Sequence, residues 1–310
     1  MDAASAAAAL PAAASEPLWW LLLAALGLVV GVIAGMFGVG GGFILTPLLV
    51  LLFKIPPGIA VGTGLCQMIG VSVAAQIRYT RLREGEAKLG WMMVAGGVLG
   101  VTAGTRVLSQ LSRSGEVTLG VLNARPIPAD ELYLSLGYVL LLSGIAAWMS
   151  RDLRRPAPIG APPAGPLTRV ELPPMTVMPR TGRRLSAPLV GLIGLALGGL
   201  AGVLGVAGGV ILTPLLVYGV GMRLRTAAAT GVVLLLATSV VGTISHALEG
   251  RVHLGIAITL LIGSTFGAQV GALLTTRLEP KRLSFLFIGL VAMTGLAVAW
   301  NLARDLFFGP

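Results

Sequence analysis

The chain has 310 residues, of which 55% are hydrophobic and only 11% charged, with a mean hydropathy of +0.92. A soluble domain carries about 25% charge, so this composition excludes a water-soluble globular protein and a disordered one. The single cysteine, Cys66, excludes an internal disulfide framework. The formal charge of +10 does not point to nucleic acid. Eleven of the 22 basic residues lie in two connecting segments (Arg78, Arg81, Arg83, Lys88; Arg151, Arg154, Arg155, Arg169, Arg180, Arg183, Arg184) without the interleaved aromatics of a nucleic-acid surface. They read as loops on the positive side of a bilayer.

In chain order, residues 1–17 form an Ala-rich tail without a positive charge and unlike a signal peptide, expected to be disordered. Apolar stretches follow at 18–53, 58–77, 89–111 and 131–149, then at 187–220, 226–248, 254–276 and 283–303. Two of them, 18–53 and 187–220, would be straight helices of about 54 and 51 Å against a hydrocarbon core of about 30 Å. Each carries a glycine cluster part-way along, so each is expected to break there. Residues 113–130 read as a polar loop. Residues 151–186 hold eight of the 19 prolines and seven arginines, and read as an exposed cytoplasmic linker with little to bury. The organisation is therefore a tail (1–17), a first membrane repeat (18–150), a linker (151–186) and a second repeat (187–310).

The repeat is explicit. Residues Gly35–Val50 match Gly202–Val217 at an offset of 167, with twelve of sixteen positions identical. The same offset pairs Thr63-Gly64 with Thr230-Gly231, and Gly100 and Gly104 with Gly267 and Gly271. If all eight segments cross, the halves are parallel and basic residues divide 13 against 8 between the faces. If the two broken segments are re-entrant, the halves are inverted and the division is 16 against 5, which the positive-inside rule favours. The fold class predicted is an all-α integral membrane protein of two inverted repeats of about four apolar segments each, the first segment of each broken or re-entrant at a Gly-rich motif. That is the usual architecture of a secondary transporter.

The glycine clusters suggest the ligand's charge. After Gly38-Val-Gly-Gly-Gly42 and Phe43 the chain resumes through Thr46-Pro47, and Gly205-Val-Ala207-Gly208-Gly209 repeats the device before Thr213-Pro214. Either Thr46-Pro47 caps and opens a helix, or the proline kinks one begun at the glycines. Both place free amide N–H groups at a helix start, where partial positive charge accumulates and anions bind. Glycines also let an oxyanion approach the backbone closely. Gly27/Gly31, Gly100/Gly104 and Gly267/Gly271 are read instead as helix-packing positions.

These motifs, G-x-x-G-x-G-G-G-x-x-x-x-P-x-L over Gly35–Leu49 and its copy over Gly202–Leu216, resemble the TauE/SafE family of sulfite and sulfonate exporters. The resemblance covers nearly all of 18–303 and implies a permease for small sulfur anions such as sulfite, sulfoacetate or thiosulfate, often outward, in the bacterial inner membrane. The family motif falls on Gly38, Gly40, Gly41, Gly42 and Pro47, and on Gly205, Gly208, Gly209 and Pro214; Ala207 departs from the first copy by a methyl group.

Polar residues inside spans are costly and often functional. Thr63, Gln67, Ser72 and Gln76 are candidates in the first half, and Thr230, Thr238, Ser239, Thr243 and Gln269 in the second. Arg106 could clamp a sulfonate, or snorkel to the headgroups. His246 could carry a proton. No cofactor or metal site is indicated, and no catalytic triad or phosphate loop, so the chain is not read as an enzyme. The partners implied are a small anion and the lipid bilayer, with no nucleic acid; the oligomeric state is not encoded in these patterns. Alternatives are an anion channel, a permease for an unrelated solute and, last, a membrane-embedded enzyme.

Overall fold

The computed structural model describes residues 16–37, 39–81, 85–113, 116–117, 127–153, 165–206, 209–277 and 280–307. Residues 1–15 of the expected tail, and Gly38, Ala207 and Gly208 of the glycine clusters, lie outside them. The first half contains α1 (Pro17–Phe37), α2 (Gly42–Phe53), α3 (Pro57–Arg81), α4 (Ala87–Arg113) and α5 (Ala129–Leu153). The second contains α6 (Ala187–Leu204), α7 (Gly209–Pro214, continued by a π-helical turn over Leu215–Val220), α8 (Leu224–Leu248), α9 (Leu254–Arg277) and α10 (Pro280–Phe307). Among the described residues eight helices are long and apolar enough to cross a membrane, all except α2 and α7. Large side chains such as Leu21, Leu99, Phe266, Leu273, Phe285 and Trp300 point outward from them, as a lipid solvent allows.

Both long apolar stretches are broken where the glycines stand. Gly40 and Gly41 each have φ of +78°, a left-handed conformation that glycine alone adopts freely, and Gly41 caps α2. Helix α2 then folds back along α1, so that Trp19 near the start of the stretch packs edge-on against Phe53 near its end, with ring centroids 5.4 Å apart. The stretch is a helical hairpin, because twelve residues of α2 reach only about 18 Å. Of the two routes open to the Thr46-Pro47 pair, the second is realised: the helix begins at the glycines and carries Pro47 inside it. Pro214 likewise ends the α-helical part of α7, and the π-helical turn absorbs the amide that proline lacks.

The halves are not separable domains, because each lends its first helix to the other. Gly27, Gly31 and Gly35 of α1 lie against Leu260, Ser264 and Ala268 of α9, where Cβ atoms would run into the facing carbonyls. Gly263 and Gly267 answer from α9 against Ala24 and Leu28. The equivalent pair, α4 with α6, interlocks Gly96, Gly100 and Gly104 with Gly191, Leu195 and Gly199. In both pairs the residue numbers rise together, so the helices run in the same direction. These stripes contain the close-packing glycines anticipated from sequence, with Gly35, Gly96 and Gly263 added and with Gly194, Gly198 and Gly202 answering from α6 against Met93, Gly97 and Val101.

Helices α3 and α8 form the centre, and along their contact the numbers run oppositely: Gly62 meets His246 and Gly242 meets Leu65. The connections sort into two groups. The turn before α4, the segment 165–186 and the end of α7 lie together: the Glu86 carboxylate accepts from the backbone N–H groups of Arg180 and Thr181 at 2.6 and 2.7 Å, and the Gly165 N–H donates to the Val220 carbonyl at 3.3 Å. The turn 249–253 lies instead with the end of α4, where the Ser109 hydroxyl donates to Glu249 at 2.8 Å and Arg113 pairs with it at 3.6 Å.

The described part of the linker is exposed or half-buried over most of its length but carries structure of its own. It forms a 3-10 turn (Pro166–Arg169) and a hairpin of β1 (Met175–Val177) and β2 (Arg184–Ser186). Met178 and Leu185 are buried in a cluster with Leu89, Met93, Leu216 and Met222. One methionine and one leucine suffice to seat this short hairpin on helix ends. The polar loop is shorter than supposed, since α5 already begins at Ala129, with Asp130 and Glu131 in the first turn facing the helix dipole's positive end.

Candidate functional site

The two breaks meet. A Cβ on Gly42, the first residue of α2, would lie 2.5 Å from the carbonyl oxygen of Gly205, the left-handed residue that ends α6. Gly209, which opens α7, presses on the Val39 backbone just before the first break. Glycine is needed at 42 and 209 for space and at 40, 41 and 205 for conformation. Met68 of α3 closes over Gly42, and Leu235, its counterpart at the repeat offset, closes over Gly40. Val39, Phe43, Met68, Leu235 and Thr230 are all fully or nearly fully buried.

Two kinds of unpaired backbone end come together here. The N–H groups of Gly42 and Phe43 head a helix and have no carbonyl one turn back within it. The carbonyls of Gly202 and Leu204 end a helix and face the opposite need. The latter are satisfied: His246 Nε2 stands 3.0 Å from the Gly202 carbonyl oxygen, and the Tyr138 hydroxyl donates to that of Leu204. The negative end of α6 is thus covered by side chains, while the positive end of α2 is flanked by glycine backbone. Among the described residues that touch Gly40, Gly41, Gly42, Gly205 and Gly209 no side chain is charged, so the polarity at the contact comes from amides and hydroxyls; Glu131, a carboxylate, lines the cavity beside Thr46.

The candidate residues fall into three groups. At the contact itself are Gly40, Gly41, Gly42, Phe43, Gly205 and Gly209, with Thr46 beside them: its Oγ1 lies 3.1 Å from where a Cβ of Gly205 would stand. The Thr46 hydroxyl neighbours that of Tyr138 across a cavity of about 30 Å³, without a hydrogen bond of good geometry. Thr213 is buried one turn into α7. A second group is buried between helices but turned away from the break. Thr63 accepts from the His253 N–H at 3.0 Å, and Gln67 donates to Ser264 at 2.7 Å, leaving its Oε1 unpaired. Thr230 repeats the role of Thr63, accepting from the Glu86 N–H at 2.9 Å. On α3 it is Gly64 and Met68, one residue further round, that face α2; each step turns a helix by 100°, which sequence spacing alone does not orient.

The third group lies off the site. Gln269 is exposed, because its neighbour Ala268 is the residue that faces α1 and one step rotates the side chain outward. Arg106 is exposed on α4, where Gly104 and Thr105 take the buried positions, so it does not reach the breaks. His246 does not share that fate: it is fully buried against Gly62, with Nε2 on the Gly202 carbonyl at the end of α6.

Several residues escaped the sequence reading. Tyr138 and Ser264 carry ordinary helix-face signals, and only their neighbours make them hydrogen-bond partners of Leu204 and Gln67. In the 249–253 turn, burial lowers the pKa of Arg251 and of His253 from their ordinary values. His253 Nδ1 accepts the Ile256 N–H at 3.3 Å and so caps α9, a role open only to the neutral ring.

Comparison with known proteins bears on the whole chain. The family model described as sulfite exporter TauE/SafE matches residues 23–298. The chain is 23% identical over 273 residues to the probable membrane transporter protein YunE of Bacillus subtilis, covering 84% of this chain and 90% of the relative. It is 26% identical over 279 residues to YjnA of the same organism, another probable membrane transporter protein, covering 87% and 96%. A probable membrane transporter protein of Methanocaldococcus jannaschii is 24% identical over 289 residues, covering 89% and 93%. No solved structure matches the chain.

Proposed function

The chain belongs to the sulfite exporter TauE/SafE family of membrane transporters, and on that premise we propose that it is a secondary carrier, not an enzyme, which moves a small sulfur-containing anion outward across the bacterial inner membrane. Sulfite, sulfoacetate and thiosulfate define the substrate class. The anion is held where the two glycine breaks meet, at the head of α2 and its counterpart α7. The observation that carries this reading is the contact of Gly42 with Gly205 and of Gly209 with Val39, which joins two unwound backbone segments from opposite halves. Amides at a helix start replace the water of an oxyanion with fixed dipoles, and glycines keep methyl groups out of the way.

The halves are inverted in this reading, each with three full spans and one re-entrant hairpin. The opposite run of α3 against α8 supports it, as does the return of α2 to the start of α1. So does the grouping of the Glu86 turn with the linker and the end of α7, away from the 249–253 turn, which is the grouping that gives the stronger basic bias. Rocking of one inverted half against the other then alternates access to the breaks.

The test is thermal stabilisation and flux with purified protein. Sulfite, sulfoacetate or thiosulfate is expected to raise Tm where size-matched organic cations do not, and Gly41→Leu is expected to insert normally but carry no substrate. Stabilisation by the cations alone, or wild-type flux in Gly41→Leu, overturns the reading.

A further inference from the structure

Many hydroxyls in the spans bond their own helix: Thr105, Thr238, Thr259, Thr265 and Thr294 each donate to a carbonyl one turn back. Six buried polar atoms on the two central helices have no partner at all, among them Gln67 Oε1 and His246 Nδ1, and the other four fall at matching positions. Ser72 Oγ and Gln76 Oε1 on α3, and Ser239 Oγ and Thr243 Oγ1 on α8, have no hydrogen-bond partner. The repeat offset of 167 takes Ser72 to Ser239 and Gln76 to Thr243, so the same two positions are left unsatisfied in both halves. Unpaired buried polar atoms are costly and few in a native structure. Two equivalent pairs in one chain call for a cause that both halves share.

Their placement supplies it. Met68, Ser72 and Gln76 succeed one another at intervals of one turn and form one stripe of α3, whose first member covers Gly42 at the break. Leu235, Ser239 and Thr243 form the same stripe on α8, beginning at Leu235 over Gly40. Both serines are fully buried. Because α3 and α8 run in opposite directions, the two stripes leave the breaks toward opposite faces. The α3 stripe ends in a cavity of about 300 Å³ on the linker face, lined by Gln76 with Tyr79, Glu86, Lys88 and Arg180. The α8 stripe runs toward the face of the 249–253 turn.

We propose that Ser72 with Gln76, and Ser239 with Thr243, line the two half-routes by which the anion reaches the breaks from either side of the membrane. Each hydroxyl donates to the anion in place of one water of its shell as it moves inward, and stands unpaired when the route is shut; Gln76 joins them through its amide N–H groups, one of which otherwise makes only a long 3.4 Å bond to Thr80. The proposal rests on the breaks being the anion site and adds the path to it.

Single cysteines in a Cys66→Ala background test it, with a membrane-impermeant anionic thiosulfonate reagent applied to one face at a time. Ser72→Cys and Gln76→Cys are expected to react from the linker face, Ser239→Cys and Thr243→Cys from the other, and the outward-facing Val73→Cys and Val240→Cys from neither. Sulfoacetate is expected to slow all four reactions. Ser72→Ala and Ser239→Ala lose no intramolecular hydrogen bond, so Tm is expected to hold or rise while KM increases about tenfold. Silence of all four cysteines, or an unchanged KM in both alanine variants, in a protein that sulfoacetate still stabilises removes the route and leaves the anion site standing. Labelling in the expected pattern that no sulfur anion slows upholds the route and removes the anion reading.

Discussion

Gly42→Ala isolates the contact between the breaks from backbone strain. Gly42 is not among the left-handed glycines, and as the first residue of α2 it tolerates alanine, which on helix propensity alone is favoured by up to about 1 kcal/mol. Space is the obstacle. The new methyl falls on Met68 Cε, the tip of a flexible chain, and 2.5 Å from the Gly205 carbonyl oxygen, which moves only with the second break. Restoring an ordinary contact of 3.4 Å requires the halves to part by roughly 0.9 Å at this point. Overpacking of that kind costs about 1–3 kcal/mol, and a backbone oxygen as the obstacle puts this case at the upper end, so the net loss after the propensity gain is about 2 kcal/mol, a factor of about 30 in the population of the closed arrangement. Solute counterflow in proteoliposomes reads the functional loss and Tm reads the packing loss, and both are expected to fall while insertion is normal. Gly42→Ala combined with Met68→Ala clears the flexible tip but leaves the carbonyl, and is expected to recover little. Full recovery in the double variant, or wild-type flux in the single one, refutes the contact of the breaks as the constraint.

Tyr138→Phe strips the donor from the Leu204 carbonyl and leaves a buried acceptor at the end of α6, which is expected to cost about 1–3 kcal/mol in thermal stability with the fold intact; an unchanged Tm shows that the carbonyl has another partner. Cysteine labelling from each side of the membrane is expected to find residues 113–130 on the face opposite the linker; both on one face removes the inverted arrangement. His253 has a lowered pKa in the folded protein, so protonation favours unfolding, and its contribution is present above its unfolded pKa of about 6.5 and lost as pH falls from there through the folded value. The Tm advantage of the wild type over His253→Asn, which can cap α9 without titrating, is expected to shrink between pH 7 and 5; a constant difference shows that the ring's protonation does not matter.

Much of this molecule is legible as text because membrane burial and local geometry act residue by residue. Overlong apolar stretches with glycines inside had to break, since hydrocarbon thickness caps a straight helix and glycine alone relaxes into the left-handed turns at 40, 41 and 205. The glycine stripes of α1, α4 and α9 are periodic and could be read as packing faces. The duplication needs only an alignment of the chain with itself. What a sequence lacks is the azimuth of each helix. Thr63 and Gln67 share a face in either description, but only the neighbours of α3 show that this face meets α9 while Gly64 and Met68 meet the break. Gln269 and Arg106 turn outward for the same reason, each one step from a residue that packs inward. The meeting of Gly42 with Gly205, the Tyr138 cap on α6 and the seating of the linker hairpin under Met178 join residues far apart along the chain. Local propensity carries no information about such contacts, because they exist only once the described helices have settled which neighbours they share.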